Sequence, residues 1–367
     1  MKNILMTASV YSHIRNFHLP YLQEFHRLGW ETHVGCAKIP SDAPYMDKVI
    51  EIPFEKRMSS ISNFHAMELL KNQIRLEQYD LIVTHTTLAA FFTRLAVKGM
   101  KKRPRLINVM HGYLFDDNTP FFKEQLLLNA ERLTAPETDL LLVMNDWDYQ
   151  TAKKYRLGKR IEKIPGMGVD FKKLDSASDE DAKCLREKLG IPSGALVLLY
   201  PAELSKRKSQ HVLIEAMQYL PQNVWLVLCG EGECTPACRI LSEKLHVNSR
   251  VLFPGQVTNI GAWYRMADIL AASSRSEGLP FNVMEAMHMG LPVIASAVKG
   301  HTDLIRDGEN GLLYPYGDAK VFSRCVERLM LNAILRQKIR ERAAHEVAQY
   351  ELSVVFPQIM AKYQGII

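Results

Sequence analysis

In the stretch SRSEGLPFNVMEAMHMGLPVIAS, residues 274–296, two glutamates, Glu277 and Glu285, stand eight residues apart around a Pro-Phe-Asn helix start. The free N–H groups at such a start attract anions, and the helix dipole adds favourable potential. Glu277, Gly278 and Leu279 sit at the mouth of that site, and Pro280 suits the first helical turn. Glu285 lies one to two turns in, where it can reach a hydroxyl of the same ligand. A phosphate between two carboxylates makes sense if each carboxylate grips a sugar, which reads as a sugar, a diphosphate and a ribose in a row. A surface glutamate beside an ordinary helix start has the same spacing, so this stretch alone does not choose.

Other residues offer complementary chemistry. In ELSKRKSQHVLIEA, Arg207 and Lys208 follow an apolar run and precede a helix. Two cations there can neutralise a diphosphate, Arg as a bidentate fork and Lys as a point charge; a solvated basic loop is the plainer alternative. RLINVMHGY ends in His111 and Gly112, and the glycine permits close approach of a ligand. A lone histidine after a strand also serves structure. In ASVYSHIRNFHLP, read as the loop after the first strand, His13 and Arg15 are placed to meet a substrate, whereas His18 is expected to pack on the following helix. GEGE at 230–233 lacks a full dinucleotide fingerprint and reads as a turn near phosphate. FDDN at 115–118 reads as a turn or a helix cap rather than a pair of metal ligands. No P-loop and no Ser-His-Asp pattern is present.

These residues need strands to hold them. KNILMTAS, WETHVGCA, YDLIVTHT, RLINVMHGY and DLLLVMN are apolar runs alternating with amphipathic segments such as HLPYLQEFHRLG and LAAFFTRLAVKGM. A polar stretch with Pro40 and Pro44 interrupts the series, and Asp146 is read as the cap of the helix that begins DWDYQ. The pattern repeats after a lysine-rich stretch at 172–190, read as a linker: LVLLYPAE, VWLVLCGEG, RVLFPGQV, DILAASS and LPVIAS alternate with helices. Alternation of this kind predicts parallel sheets. The expectation is an α/β protein of two doubly wound domains, 1–172 and 190–349, facing each other across a cleft. Ligands of such sheets bind beyond the carboxyl ends of the strands.

A chain of 367 residues suits two domains of ordinary size. The net charge of +6 is mild for a nucleic-acid binder and suits anionic small molecules or an anionic membrane surface. The six cysteines form no CxxC pair and read as free thiols of a reducing cytosol. No apolar run reaches membrane-spanning length. Two basic stretches, KGMKKRPR (98–105) and KKYRLGKR (153–160), predict attachment of the first domain to the inner face of the cell membrane.

Together the motifs resemble a known family. E-G-L-P-F-N-V-M-E-A, followed by G-L-P-V-I-A, is similar to the EX7E signature of family-4 retaining glycosyltransferases of GT-B fold. GQVTNIGAWYRMADILAASSRSEG and DLIRDGENGLLY resemble its flanks, and SHIRNFHLPYLQEF, MHGYLF, TDLLLVMNDWDYQTAKKY and IPGMGVD resemble the bacterial exopolysaccharide and capsule branch. The resemblance covers nearly the whole chain. It implies two Rossmann-like domains, an N-terminal one that binds the acceptor and a C-terminal one that binds the donor, with the last helix, 350–367, packed back on the first. It implies that Glu277 contacts the donor sugar, Glu285 the ribose and Lys208 the diphosphate, and that His111 faces the donor sugar. It implies no cofactor and no metal, a nucleoside-diphosphate sugar (UDP-linked) as donor, a lipid-linked oligosaccharide as acceptor, and front-face attack assisted by the leaving phosphate. One departure stands out: Ala202-Glu203-Leu204 occupies the place of the usual Gly-Arg-Leu, so Arg207 is the expected substitute for the missing phosphate-binding arginine. The rivals are a sugar-nucleotide 2-epimerase and a non-catalytic sugar-nucleotide-binding partner of a polysaccharide assembly complex.

Overall fold

A computed structural model describes residues 1–40, 43–55 and 60–367. Part of the polar stretch around Pro40 and Pro44 lies outside the described residues. The chain divides into two compact units: Met1–Gly168 with Ser353–Ile367, and Val169–Leu352.

The first unit is built on a seven-stranded parallel sheet of order β3-β2-β1-β4-β5-β6-β7. Its strands are β1 (Asn3–Val10), β2 (Glu31–Ala37), β3 (Lys48–Glu51), β4 (Leu81–His85), β5 (Arg105–Met110), β6 (Leu140–Val143) and β7 (Arg160–Lys163). The central strands are apolar along their length because helices cover both faces, as a parallel sheet requires. Leu5 pairs with His33 on one side and Ile82 on the other. Inside this layer Thr7 meets Thr84 at 2.8 Å and Thr93 at 3.0 Å. The strand order reverses direction between β1 and β4, which opens a crevice beyond their carboxyl ends.

Two local readings change here. YSHIRNF is a helix, Tyr11–Phe17, and not a loop. It starts directly from β1 without a side-chain cap and buries only Tyr11 and Ile14, so it shows little periodicity. The helix Asp146–Tyr155 is capped by Asn145, whose side chain accepts from the Asp148 N–H at 2.8 Å; Asp146 is already inside it. The helix Leu352–Gln364 packs on this unit. Tyr363 and Phe356 lie against Phe25 and Tyr21, and Lys362 pairs with Glu162. The Tyr21 hydroxyl donates to the Met167 carbonyl at 2.7 Å.

The second unit holds a six-stranded parallel sheet of order β10-β9-β8-β11-β12-β13. The strands are β8 (Leu196–Pro201), β9 (Val224–Cys229), β10 (Val251–Gly255), β11 (Ile269–Ala272), β12 (Val293–Ser296) and β13 (Leu312–Tyr314). Its order reverses between β8 and β11. Residues 172–190 are built into this unit and are no free linker. The helix Asp179–Lys188 begins with a Ser178–Asp181 capping box, and Arg186 reaches Asp268 at 2.8 Å and the Met266 carbonyl at 2.8 Å. Gly261 lets the Leu174 backbone come so close that a Cβ there would sit 2.5 Å from its oxygen. Among the described residues no helix is long and apolar enough to cross a membrane.

Candidate active site

Both candidate clusters stand at the crevice end of their own sheet. In the second unit, the loop after β8 carries Arg207 and Lys208 and the loop after β11 carries Glu277. The two strands are neighbours at the reversal point, so these loops meet. Arg207 Nη1 lies 2.7 Å from Glu277 Oε2, and Lys208 Nζ lies 2.6 Å from Glu277 Oε1. Ser274 Oγ donates to the same Oε1 at 2.5 Å and is itself 2.7 Å from the Tyr200 hydroxyl. The backbone is tied as well: the Arg275 N–H donates to the Arg207 carbonyl at 2.7 Å, and Ser273 Oγ to the Lys208 carbonyl at 2.8 Å.

Burial differs within this cluster. The side chain of Glu277 is 7% exposed and that of Lys208 12%, whereas that of Arg207 is 50% exposed. Burial alone would push the Glu277 carboxyl up, but the Lys208 ammonium and the Arg207 guanidinium overcome it and hold the group well below the usual carboxylate range. Burial pulls Lys208 down, against the attraction of Glu277. Glu277 is therefore an anion at any working pH, with its oxygens occupied. A carboxylate so placed is a poor proton acceptor and a poor nucleophile; it orients two cations.

Glu285 lies on the helix Phe281–His288, half-buried, and its Oε2 accepts from the Tyr264 hydroxyl at 2.7 Å. Burial pushes its carboxyl up, and the Tyr264 bond draws it partly back. Pro280 occupies the N-cap position of this helix, one residue earlier than its composition suggests. Asn282 in the first turn donates to the Pro201 carbonyl at 3.1 Å, which fixes the helix start beside the end of β8. Gly278 and Leu279 are buried in the same entry.

Sequence reasoning missed Gly300 and His301. Gly300 has φ +83°, and a Cβ there would lie 2.8 Å from the Glu277 Cβ and 2.9 Å from its carbonyl oxygen. The loop after β12 thus presses on Glu277, and the Glu277 N–H donates to the Lys299 carbonyl at 3.2 Å. His301 is buried, with Nδ1 2.9 Å from the Ser296 carbonyl. Burial lowers it to about 4, although Glu277 pulls the other way. Gly230 and Gly232, in the GEGE turn, are small for a different reason than ligand approach: a Cβ at either would lie 2.2–2.3 Å from the carbonyl oxygens of Ala202 and Leu204.

In the first unit the structure brings His13 and His111 together, ring centres 4.4 Å apart and edge to face. His18 does not simply pack on its helix. It is fully buried and stacked on His85, ring centres 3.4 Å apart, and His85 drew no attention in the sequence. Arg15, on the same short helix as His13, is exposed and reaches its neighbour Asn16 at 3.3 Å. In FDDN, Asp116 accepts from the Asn118 N–H at 3.0 Å and forms a turn.

Two Rossmann-type parallel sheets, the second with paired cations on a buried carboxylate at its reversal point, define a two-unit α/β protein. The family described as Glycosyl transferases group 1 matches residues 181–346, and that described as Glycosyltransferase Family 4 matches residues 21–172. The protein named glycosyltransferase EpsD of Bacillus subtilis (strain 168) is 35% identical over 343 residues, 92% of this chain and 90% of that one. An Escherichia coli protein named UDP-Gal:alpha-D-GlcNAc-diphosphoundecaprenol alpha-1,3-galactosyltransferase is 24% identical over 86% of this chain and 84% of its own. Among solved structures, Anabaena Alr3699/HepE in complex with UDP and glucose superposes with a TM-score of 0.83 at 20% identity over the whole of both chains. WaaG, a glycosyltransferase of lipopolysaccharide biosynthesis, gives 0.79 at 19% identity over 97% of this chain and 98% of its own. The chain belongs to glycosyltransferase family 4 and has the GT-B fold; it is a glycosyltransferase.

Proposed function

We propose that the protein transfers a sugar, with retention, from a UDP-sugar to a lipid-linked oligosaccharide during synthesis of an exopolysaccharide, capsule or O-antigen. The observation that supports this most is the Arg207–Lys208–Glu277 cluster at the reversal point of the second sheet. When the donor enters, Arg207 turns its solvent-facing N–H groups to the diphosphate while Glu277 keeps the guanidinium in place. Lys208 adds a nearby positive charge. Charge builds on the leaving diphosphate in the transition state, and donors fixed beforehand stabilise it without reorganisation. In this role Arg207 replaces the arginine missing at Glu203, Glu285 holds the ribose, and Gly278 and Leu279 admit the phosphates to the helix start. Glu277 also borders the donor sugar. We assign His111 to the donor sugar, and His13 and Arg15 to the acceptor. The transfer itself uses no metal.

The polysaccharide assignment follows the likeness to EpsD, and a lipid diphosphate acceptor follows the name of the Escherichia coli relative. The first unit offers an apolar surface to such a lipid: Phe121, Phe122 and Leu126 are exposed on the helix Phe121–Thr134. The basic stretches contribute less than their composition suggests. Arg103 and Lys159 are spent on Asp139, at 2.7 and 2.9 Å, and Arg160 on Glu162 at 2.8 Å. We therefore place the protein in the cytoplasm, held on the inner membrane face by these aromatic residues with Lys101 and Lys102, both exposed.

The test is a panel of nucleotide sugars screened by thermal shift, followed by transfer to a synthetic polyprenyl-diphosphate sugar with the anomeric product read by NMR. A new α-linked product from a UDP-sugar is expected. Release of an epimerised sugar nucleotide without acceptor would instead make the protein an epimerase. Co-sedimentation with anionic vesicles should fall when Phe121 and Phe122 are both changed to Ser; unchanged partition removes the membrane assignment.

A further inference from the structure

The amino end of the first sheet, away from its crevice, holds a basic cavity that neither the transfer reaction nor the membrane assignment uses. The helix Phe121–Thr134 ends there and passes through the turn Ala135–Glu137 into β6, and the helix Asp146–Tyr155 ends there just before β7. Between the two helix ends lies a cavity of about 220 Å³, lined by Arg132, Tyr155, Arg156 and Lys159 together with Ala135 and Gly158. Among the described residues no carboxylate lines it. Arg132 and Arg156 are exposed, and neither guanidinium has a hydrogen bond or an ion pair among the described residues. The cations around them are engaged. Lys159 and Arg103 hold Asp139 at 2.9 and 2.7 Å, Arg103 also reaches Glu137 at 3.4 Å, and Arg160 reaches Glu162 at 2.8 Å. These three acids are already neutralised, and the two arginines are left over.

Basic residues often stand at helix C-termini because they complement the helix dipole. Here the helix ends are capped without this pair. At the end of the first helix the carbonyls of Ala130 and Glu131 accept from the Thr134 hydroxyl at 3.2 Å, and the Leu133 carbonyl accepts from Lys98 Nζ at 3.2 Å. At the end of the second, the Lys153 carbonyl accepts from the Arg156 N–H at 3.3 Å and the Ala152 carbonyl from the Leu157 N–H at 3.0 Å. Arg156 has φ 53°, the left-handed conformation that Gly or Asn usually supplies after a helix. A side chain with a Cβ costs stability there, so capping alone would not select arginine. Two free guanidinium forks match a phosphate group, whose oxygens accept from several donors at once, and Lys159 lends its charge from Asp139. A single carboxylate would need one fork only. We propose that Arg132, Arg156 and Lys159, with Tyr155 beside them, bind a phosphate group, carried by a soluble phosphomonoester or by an anionic lipid headgroup. The site lies at the opposite end of the sheet from His13 and His111, so it can be filled while the crevice is occupied. This inference does not rest on the sugar-transfer reading.

The full chain is tested against both sources. Binding of inorganic phosphate and glycerol phosphate is followed by phosphorus NMR line broadening, and phosphatidylglycerol vesicles are compared with phosphatidylcholine vesicles by co-sedimentation at fixed salt. Arg156→Gly suits the left-handed φ, so it should keep or raise the melting temperature while weakening binding by about tenfold. Arg132→Gln, at an exposed helix position, should fold normally and weaken binding by a similar factor. The two changes together should remove it. Lys153→Gln with Arg105→Gln takes the same charge from exposed positions outside the cavity and should leave binding nearly unchanged. Any component of phosphate binding that Arg207→Ala removes belongs to the second unit and is set apart. Loss confined to vesicles assigns a lipid headgroup, and loss with the soluble phosphates as well assigns the phosphate group itself. Absence of binding in both arms overturns the inference. So does binding that the Arg132, Arg156 double variant leaves intact, or that the Lys153, Arg105 control reduces as much.

Discussion

Arg207 and Lys208 touch the same carboxylate, yet the structure predicts that they fail differently. Lys208 is nearly buried and its ammonium is 2.6 Å from Glu277. Lys208→Met removes one charge-assisted hydrogen bond but leaves Glu277 with Arg207 and Ser274, so the loss of stability should be about 1.5–3 kcal/mol. Arg207 is half exposed, so solvent screens its pair, and Arg207→Ala should cost about 0–1 kcal/mol. Glu277→Gln strands the buried Lys208 charge and should cost more than either, about 3–5 kcal/mol. Affinity for UDP should follow another order. Both cations face the diphosphate in the proposed complex, so Arg207→Ala should weaken UDP by about tenfold or more at almost no expense in stability. The two quantities are separable in practice. Trp225 and Trp263 lie in the second unit and Trp30 and Trp147 in the first. Replacing the latter two by Phe gives a background in which urea unfolding followed by fluorescence reports the second unit alone, and calorimetry on the folded variants gives the UDP dissociation constant. If Arg207→Ala destabilises as much as Lys208→Met, or if neither changes UDP binding, the division of labour drawn from their burial is wrong.

Glu285→Ala should weaken UDP by about ten- to hundredfold by calorimetry, since it removes a charged acceptor from the proposed ribose pocket; Tyr264→Phe, which removes the hydroxyl's bonds to Glu285 and to the Asn282 carbonyl but leaves the carboxylate, should do less. Gly300→Ala forces a positive φ on a residue with a Cβ and drives that Cβ into Glu277, so a loss of about 2–4 kcal/mol with reduced UDP affinity is expected in the same unfolding and binding assays. The histidine facing Glu277, Lys208 and Arg207 gives a pH test. His301 is lowered from 6.5 to about 4, so between those values the unfolded chain binds the extra proton and stability falls as pH falls. The wild type should lose about 1.4 kcal/mol per pH unit more than His301→Asn across that window. Glu277, held low, contributes its own pH dependence only below the ordinary carboxylate range. Parallel stability curves for wild type and His301→Asn would show that the histidine is not kept neutral.

What the sequence made legible divides along a physical line. Alternating apolar and amphipathic runs set the two parallel sheets, because strands covered on both faces leave continuous apolar stretches. Arg207, Lys208 and Glu277 were legible because each follows such a run, and the carboxyl end of a strand is where a parallel sheet meets its ligand. Their mutual contact was not, since a separation of 69 residues between Lys208 and Glu277 is closed only by the neighbouring positions of β8 and β11. Gly300 was invisible for the same reason: nothing in AVKGH says that another loop's backbone lies under its α-carbon. The helix Tyr11–Phe17 escaped because two turns with two buried residues carry too little periodicity. The four histidines were hidden most deeply. His13 and His111 each drew notice alone, His18 was taken for helix packing, and His85 looked like the last residue of an apolar strand. The sheet order, β1 beside β4 and β4 beside β5, is what turns three separate chain segments into one pocket of unpaired imidazoles. Local chemistry can be read from residue types and spacing, whereas a site made of several strand ends needs the order of the strands, and this protein has one such site in each sheet.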